Sequence, residues 1–187
     1  CKDTGWWGNE VCACLNDYYA RVQIEELSQT LDLESHDFDD FDLTLYSPQV
    51  DYDTGRAPRE RMTKIKNICI RYTREFSSVG GNLFFSGAPG LGKTFLSACI
   101  AREVSGDGHS VVYDTAQHIF SRFEAQKFTS EESANDDVSR ILRCDLLIID
   151  DLGTELTTEF VRSALYQIIN TRLLTRKSTI ISTNIKP

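Results

Sequence analysis

The octapeptide Gly87-Ala88-Pro89-Gly90-Leu91-Gly92-Lys93-Thr94 constrains this chain more than any other stretch of it. It matches G-x-x-x-x-G-K-[ST] and sits between an apolar run, Leu83-Phe84-Phe85, and a helical pattern from Lys93 to Val104, so it demands a strand, a tight turn and a helix in succession. Glycines at 87, 90 and 92 let the backbone curl until successive N–H groups point into one concavity, and the helix N-terminus adds its partial positive charge. A polyphosphate fits such a concavity. Lys93 is placed to reach the β- and γ-phosphates and the Thr94 hydroxyl to coordinate Mg²⁺. With Phe95 in the first helical turn, residues 87 to 95 are the expected lining of an ATP or ADP site. A glycine turn that binds nothing has no need of Lys-Thr at this point.

The surroundings repeat the same alternation. Met62, Ile65, Cys69, Tyr72 and Phe76 recur at helical spacing behind Pro58, predicting a helix over about 57 to 77. After the phosphate loop come Val111-Val112-Tyr113, a helix containing Ile119, Phe120 and Phe123, the run Leu146 to Ile149, a helix from Phe160 to Leu173, and a last strand, Thr179-Ile180-Ile181. The polar stretch Thr129 to Asp137 reads as a mobile loop. Apolar strands alternating with helices of this length predict an α/β fold with a parallel sheet flanked by helices.

Two further strand ends carry polar chemistry. Leu146-Leu147-Ile148-Ile149-Asp150-Asp151 ends four apolar residues on two acids, where ligands of open α/β sheets gather. Asp150 is the candidate for holding Mg²⁺ through water, and Asp151 for accepting a proton from the attacking water or orienting it. Paired acids there can also do no more than cap the next helix. Ser182-Thr183-Asn184 closes the last strand, and Asn184 would touch the γ-phosphate or its water if that strand lies beside the one carrying the acids.

Charge divides the 187 residues unequally. Residues 1 to 55 hold 13 acids and 2 bases, whereas residues 56 to 187 hold 15 acids and 18 bases. The expected division is a Cys-rich segment at 1–20, an acidic linker at 21–55 and an ATPase core at 56–187. The acidic part is ill suited to a phosphate backbone. The linker, with Phe38, Phe41, Leu43, Leu45 and Tyr46 among its acids, either lies on a neighbour or is a solvated tether. No apolar run nears the roughly 20 residues of a membrane helix, and the start lacks a secretory signal pattern, so no membrane association and a cytoplasmic location are expected. Cys69, Cys99 and Cys144 fall in apolar stretches as buried thiols. Cys1, Cys12 and Cys14 form a separate C-x10-C-x-C cluster.

On these residues the chain resembles the DnaC/IstB-like AAA+ ATPases, a group of replicative helicase loaders of the DnaC and DnaI type and transposase helpers. The match rests on Phe41-Asp42 and Tyr46-Ser47, Asn82 to Gly87, Asp150-Asp151-Leu152-Gly153-Thr154-Glu155 and Ser182-Thr183-Asn184, and covers most of residues 38 to 187. The resemblance implies phosphate and Mg²⁺ roles for Lys93 and Thr94, the Walker B metal role for Asp150, the catalytic acid position for Asp151 and sensor 1 for Asn184. Aspartate at 151, where AAA+ enzymes commonly carry glutamate, shortens the reach to water by one methylene and implies slow hydrolysis. The resemblance further implies that the last core strand, arginine finger, sensor 2 and helical lid lie beyond Pro187, that a neighbouring subunit completes the site, and that the chain reads as a fragment. In some relatives a similar Cys-Lys-Asp-Thr-Gly stretch follows another Cys, giving C-x-x-C, which suggests a fourth thiolate ahead of Cys1 and a structural zinc site; free thiols or a disulfide are the alternatives. A replicative helicase of the DnaB type is the implied partner of Trp6, Trp7 and the acidic stretch. Single-stranded DNA is implied beside Arg122, Phe123, Lys127 and Phe128, although such phenylalanines also serve as core. A transposase helper and a non-hydrolysing nucleotide-binding adaptor are the alternative functions.

Overall fold

The computed structural model describes residues 1, 4–8, 10–15, 18–19, 22, 27, 36–52, 55–128, 132–153 and 158–185. Near the start, β1 (Trp6–Trp7) and β2 (Glu10–Val11) pair as an antiparallel hairpin with Trp6 opposite Val11. A 3-10 turn at Leu43–Leu45 precedes the main body, capped by the Asp42 side chain, which accepts from the Thr44 N–H at 2.8 Å. The body then runs α1 (Pro58–Arg74), β3 (Leu83–Ser86), α2 (Lys93–Gly106), β4 (Val111–Thr115), α3 (Ala116–Phe128), α4 (Glu132–Arg143), β5 (Leu146–Leu152), α5 (Glu159–Leu174) and β6 (Ser178–Thr183). Pro58 opens α1, where its missing N–H costs nothing, and the Thr158 hydroxyl caps α5 by accepting from the Val161 N–H at 3.2 Å.

The four strands β3, β6, β5 and β4 form one parallel sheet in that spatial order. The last strand in sequence is thereby inserted between the strand leading into the phosphate loop and the strand ending in the acids. Strand residues alternate between two apolar layers because successive side chains leave opposite faces. Val111, Tyr113, Leu146, Ile148 and Ile180 pack under α1 and α2, whereas Val112, Leu147 and Ile149 pack under α3, α4 and α5. The sheet is covered on both faces, the parallel α/β architecture that the alternation of the sequence predicts.

Two features depart from or go beyond the sequence expectation. The stretch expected to be a mobile loop, Thr129 to Asp137, instead contributes the first half of α4, with 129–131 outside the described residues. Among its described side chains, the apolar ones that pack are Val138, Ile141 and Leu142 at the far end, too short a stripe to register as periodicity. The acidic segment also contributes to the core: Phe38 and Phe41 are buried in the layer under α1 and α2, with Leu43 and Tyr46 packed against it. Cys69, Cys99 and Cys144 are buried free thiols, and burial pushes Cys69 and Cys99 up to about 12.

Buried in the back layer, Arg172 of α5 replaces solvent for the chain ends around it. Its guanidinium donates to the Ile141 carbonyl at 2.9 Å, Cys144 carbonyl at 3.1 Å, Ser178 carbonyl at 2.5 Å and Thr179 hydroxyl at 3.0 Å. It thus satisfies carbonyls at the C-terminal end of α4 that the helix leaves unpaired.

Candidate functional site

The site lies at the C-terminal ends of β3, β6 and β5, where three loops converge. Gly92 enters α2 with φ +79°, a left-handed conformation that side chains disfavour. It is also covered: a Cβ at Gly92 would stand 2.7 Å from Phe41 Cε2 and 3.0 Å from the Tyr46 hydroxyl. The 41–46 segment therefore straps the inner side of the phosphate loop. Tyr46 donates to the Leu91 carbonyl at 3.2 Å, and the Phe41 ring stacks with Tyr46 and meets Phe95, centroids 5.9 and 5.5 Å apart. Arg59 of α1 holds the strap by donating to the Tyr46 and Thr44 carbonyls at 3.0 and 3.2 Å. Ala88, Pro89, Gly90 and Leu91 are left exposed on the other side.

Of the residues expected to line a nucleotide site, the structure brings Lys93, Thr94, Asp150, Asp151 and Asn184 together. Lys93 Nζ donates to the Gly87 and Ala88 carbonyls at 2.9 and 3.0 Å and to Asn184 Oδ1 at 2.8 Å. The same amide donates through Nδ2 to Asp151 Oδ1 at 2.7 Å, so Asn184 links the lysine to the second acid. This follows from the strand order, since Asn184 ends the strand between the other two. Thr94 donates to Asp150 Oδ2 at 3.0 Å. Phe95 turns its ring toward His36 and Phe41 rather than the exposed side of the loop.

Asp150, 7% exposed, has its carboxylate held by several donors that sequence alone does not assign to it. Tyr113 donates to Oδ2 at 2.5 Å, the Ser182 hydroxyl donates to Oδ1, and the Asp151 N–H reaches Oδ1 at 3.1 Å. Burial first, and then the Asp150 charge, raise the Tyr113 phenol far above its ordinary value, so it stays a neutral donor. Period-two alternation could have placed Tyr113 on the Asp150 face, but only the register Thr115 opposite Asp150 makes them meet. Asp151 adopts φ +55°, an uncommon backbone for a non-glycine residue that occurs at functional sites. Beyond it, Gly153 at φ +104° adopts a backbone that side chains disfavour, and a Cβ there would have to displace the end of the exposed Ile185 side chain. Thr154 and Glu155 lie outside the described residues.

The donor set fits a divalent cation. Thr94 and Asp150 offer oxygen only, the hard donors Mg²⁺ requires, and they converge on one carboxylate edge. A second cluster suits a softer metal: the sulfurs of Cys1, Cys12 and Cys14 lie within 4.8 Å of one another.

The residues beside which single-stranded DNA is implied share α3, and Phe123 and Lys127 line one pocket with Phe160. Phe123 is core at 5% exposure, Arg122 is tied to buried Asp114 at 2.9 Å, and Lys127 lies 5.8 Å over the Phe160 ring. The Phe128 side chain lies outside the described residues. None of the described helices is long and apolar enough to cross a membrane.

A phosphate loop at the end of one parallel strand, an acid pair at the end of another and an asparagine on the strand between them define a P-loop nucleotide-binding protein of the AAA+ class. The sequence profile of the family described as "IstB-like ATP binding protein" matches residues 49–186, and the chain belongs to that DnaC/IstB-like family. It is 32% identical over 117 residues to the replicative helicase loader DnaC of Escherichia coli K12, covering 61% of this chain and 46% of that one. It is 26% identical over 138 residues to the DnaC of Buchnera aphidicola from Acyrthosiphon pisum, covering 72% and 55%. The chain thus spans about half the length of the curated relatives it matches. Among solved structures, a DnaC helicase loader superposes with TM-score 0.65 at 20% identity, covering 84% of this chain and 81% of the other. AMPPCP-bound DnaA of Aquifex aeolicus superposes with TM-score 0.61 at 20% identity, covering 81% and 42%. These two likenesses establish the fold.

Proposed function

We propose that this chain is the nucleotide-binding core of a replicative helicase loader, taking ATP or ADP on the loop from Gly87 to Phe95. The observation that carries the reading is the continuous linkage of the loop lysine through Asn184 to Asp151, alongside Thr94 on Asp150. Lys93 and the loop N–H groups bind the phosphates. Thr94 and Asp150 would hold Mg²⁺, which supplies charge neutralisation at the β- and γ-phosphate oxygens. Asn184 holds Asp151 in place, and Asp151 orients the attacking water and takes up its proton. Hydrolysis is slow in isolation, since Asp151 is short and a neighbouring subunit's arginine supplies charge stabilisation.

The loader reading is favoured over a transposase helper by the DnaC relatives, which match over 117 and 138 residues. The partners that follow are a DnaB-type helicase, engaged through Trp6 and Trp7, which are 53% and 73% exposed, and single-stranded DNA. Cys1, Cys12 and Cys14 would hold a structural zinc with a fourth ligand.

The deciding measurement is adenine-nucleotide affinity of the 187-residue chain in Mg²⁺. Binding that falls at least tenfold in Lys93→Ala is expected; no binding by the folded wild type refutes the reading. Rapid multiple turnover by this chain alone would refute the dependence on a neighbour.

A further inference from the structure

Tyr113 has no role in the reading above, yet its hydroxyl ends on the carboxylate assigned to the metal. It is 6% exposed on β4, and from the pair Tyr113–Ile148 it reaches diagonally across β5 to Asp150. A buried tyrosine needs an acceptor for its proton, and here it shares Asp150 Oδ2 with Thr94, at 2.5 Å against 3.0 Å. Oδ1 is held separately by Ser182 and by the Asp151 N–H.

This division has a consequence for metal binding. The Thr94 hydroxyl has lone pairs to offer a cation while its proton stays on Oδ2, so its distance from Oδ2 would follow the ion it binds. Oδ1 keeps its donors, and of the two donors on Oδ2 Tyr113 is the one that does not itself bind the ion. The terminal torsion of an aspartate is broad, so one oxygen anchored and the other loose lets the carboxylate plane swing. With both oxygens anchored, the plane stays fixed and its remaining lone pairs keep one direction.

We propose that Tyr113 is a positioning residue for the divalent cation, its hydroxyl fixing the Asp150 carboxylate plane from the sheet side while Thr94 binds the ion. The inference rests on the nucleotide-binding reading and adds to it a tyrosine contributed by β4. Phenylalanine would fill the same space and serve the core equally, so the hydroxyl is the part that acts on the metal site.

The test compares wild type with Tyr113→Phe in the 187-residue chain, measuring affinity for a fluorescent non-hydrolysable ATP analogue with Mg²⁺ and with EDTA. Tyr113→Phe is expected to lower the Mg²⁺-bound affinity about tenfold, equivalent to about 1.4 kcal/mol, while the EDTA value stays within twofold. In an Asp150→Asn background the same substitution is expected to add less than twofold. An unchanged or greater Mg²⁺ enhancement, an equal fall in both conditions, a full effect in the Asp150→Asn background, or failure of Tyr113→Phe to fold would overturn the inference. Wild type that binds the analogue in neither condition would instead sink the nucleotide reading, and this inference with it.

Discussion

Replacing Gly92 by alanine tests the strap across the phosphate loop, because two separable costs meet at that atom. The first is intrinsic: at φ +79° an L-residue is disfavoured by about 1–2 kcal/mol. The second is steric, since the new Cβ would lie 2.7 Å from the edge of the Phe41 ring and 3.0 Å from the Tyr46 hydroxyl. Phe41 is 6% exposed and stacked, so it cannot swing aside freely, and overpacking of this kind costs about 1–3 kcal/mol. The sum is about 3 kcal/mol, which for a chain of this size lowers Tm by about 6–12 °C. Urea unfolding followed by circular dichroism would measure it. Repeated in a Phe41→Ala background, the same substitution should cost about 1 kcal/mol less, because the ring is gone and the backbone part and the Tyr46 contact remain. Equal costs in the two backgrounds would refute the claim that the 41–46 segment lies against the loop. A cost below about 0.5 kcal/mol in wild type would refute the backbone geometry as well.

Arg172→Met, which keeps the length of the side chain and removes its donors, orphans the Ile141, Cys144 and Ser178 carbonyls and should destabilise the fold by about 3 kcal/mol in urea titration; a loss under about 1 kcal/mol would refute the buried network. At Asp145, burial works to raise the carboxyl, but the Lys177 ammonium at 2.8 Å and the Ser110 N–H and hydroxyl outweigh it and hold the pKa at about 2. The folded value lies below the ordinary aspartate value of about 3.9, so its contribution is complete above that pH and is lost as pH falls through about 2. Asp145→Asn should therefore flatten the decline in stability between about pH 4 and pH 2; a slope identical to wild type would count against the ion pair.

The chemistry at Lys93, Thr94 and Asp150 was legible in the sequence because each residue belongs to a short motif whose neighbours dictate its local fold. Asn184 was legible only conditionally, since its meeting with Lys93 and Asp151 depends on which strands are adjacent. Phe41 and Tyr46 stand out as aromatics in an acidic stretch, but nothing local says that they reach residues 91 to 95, about fifty positions away. Tyr113 looks like any residue of a buried strand until the register is known, and Arg172 looks like a solvent-facing helix cation. The first half of α4 is polar in sequence, with Asp136 and Asp137 facing solvent, while the helix's buried Val138 and Ile141 fall in its second half, so periodicity does not mark it.

Because β6 runs between β3 and β5, the gap from the glycine turn to the acid pair is two interstrand steps, each about 4.8 Å and fixed by main-chain hydrogen bonds. That gauge does not depend on which side chains pack above or below it. Helices on either face can diverge in sequence or acquire new surfaces while the distance from the glycine turn to the acid pair stays constant.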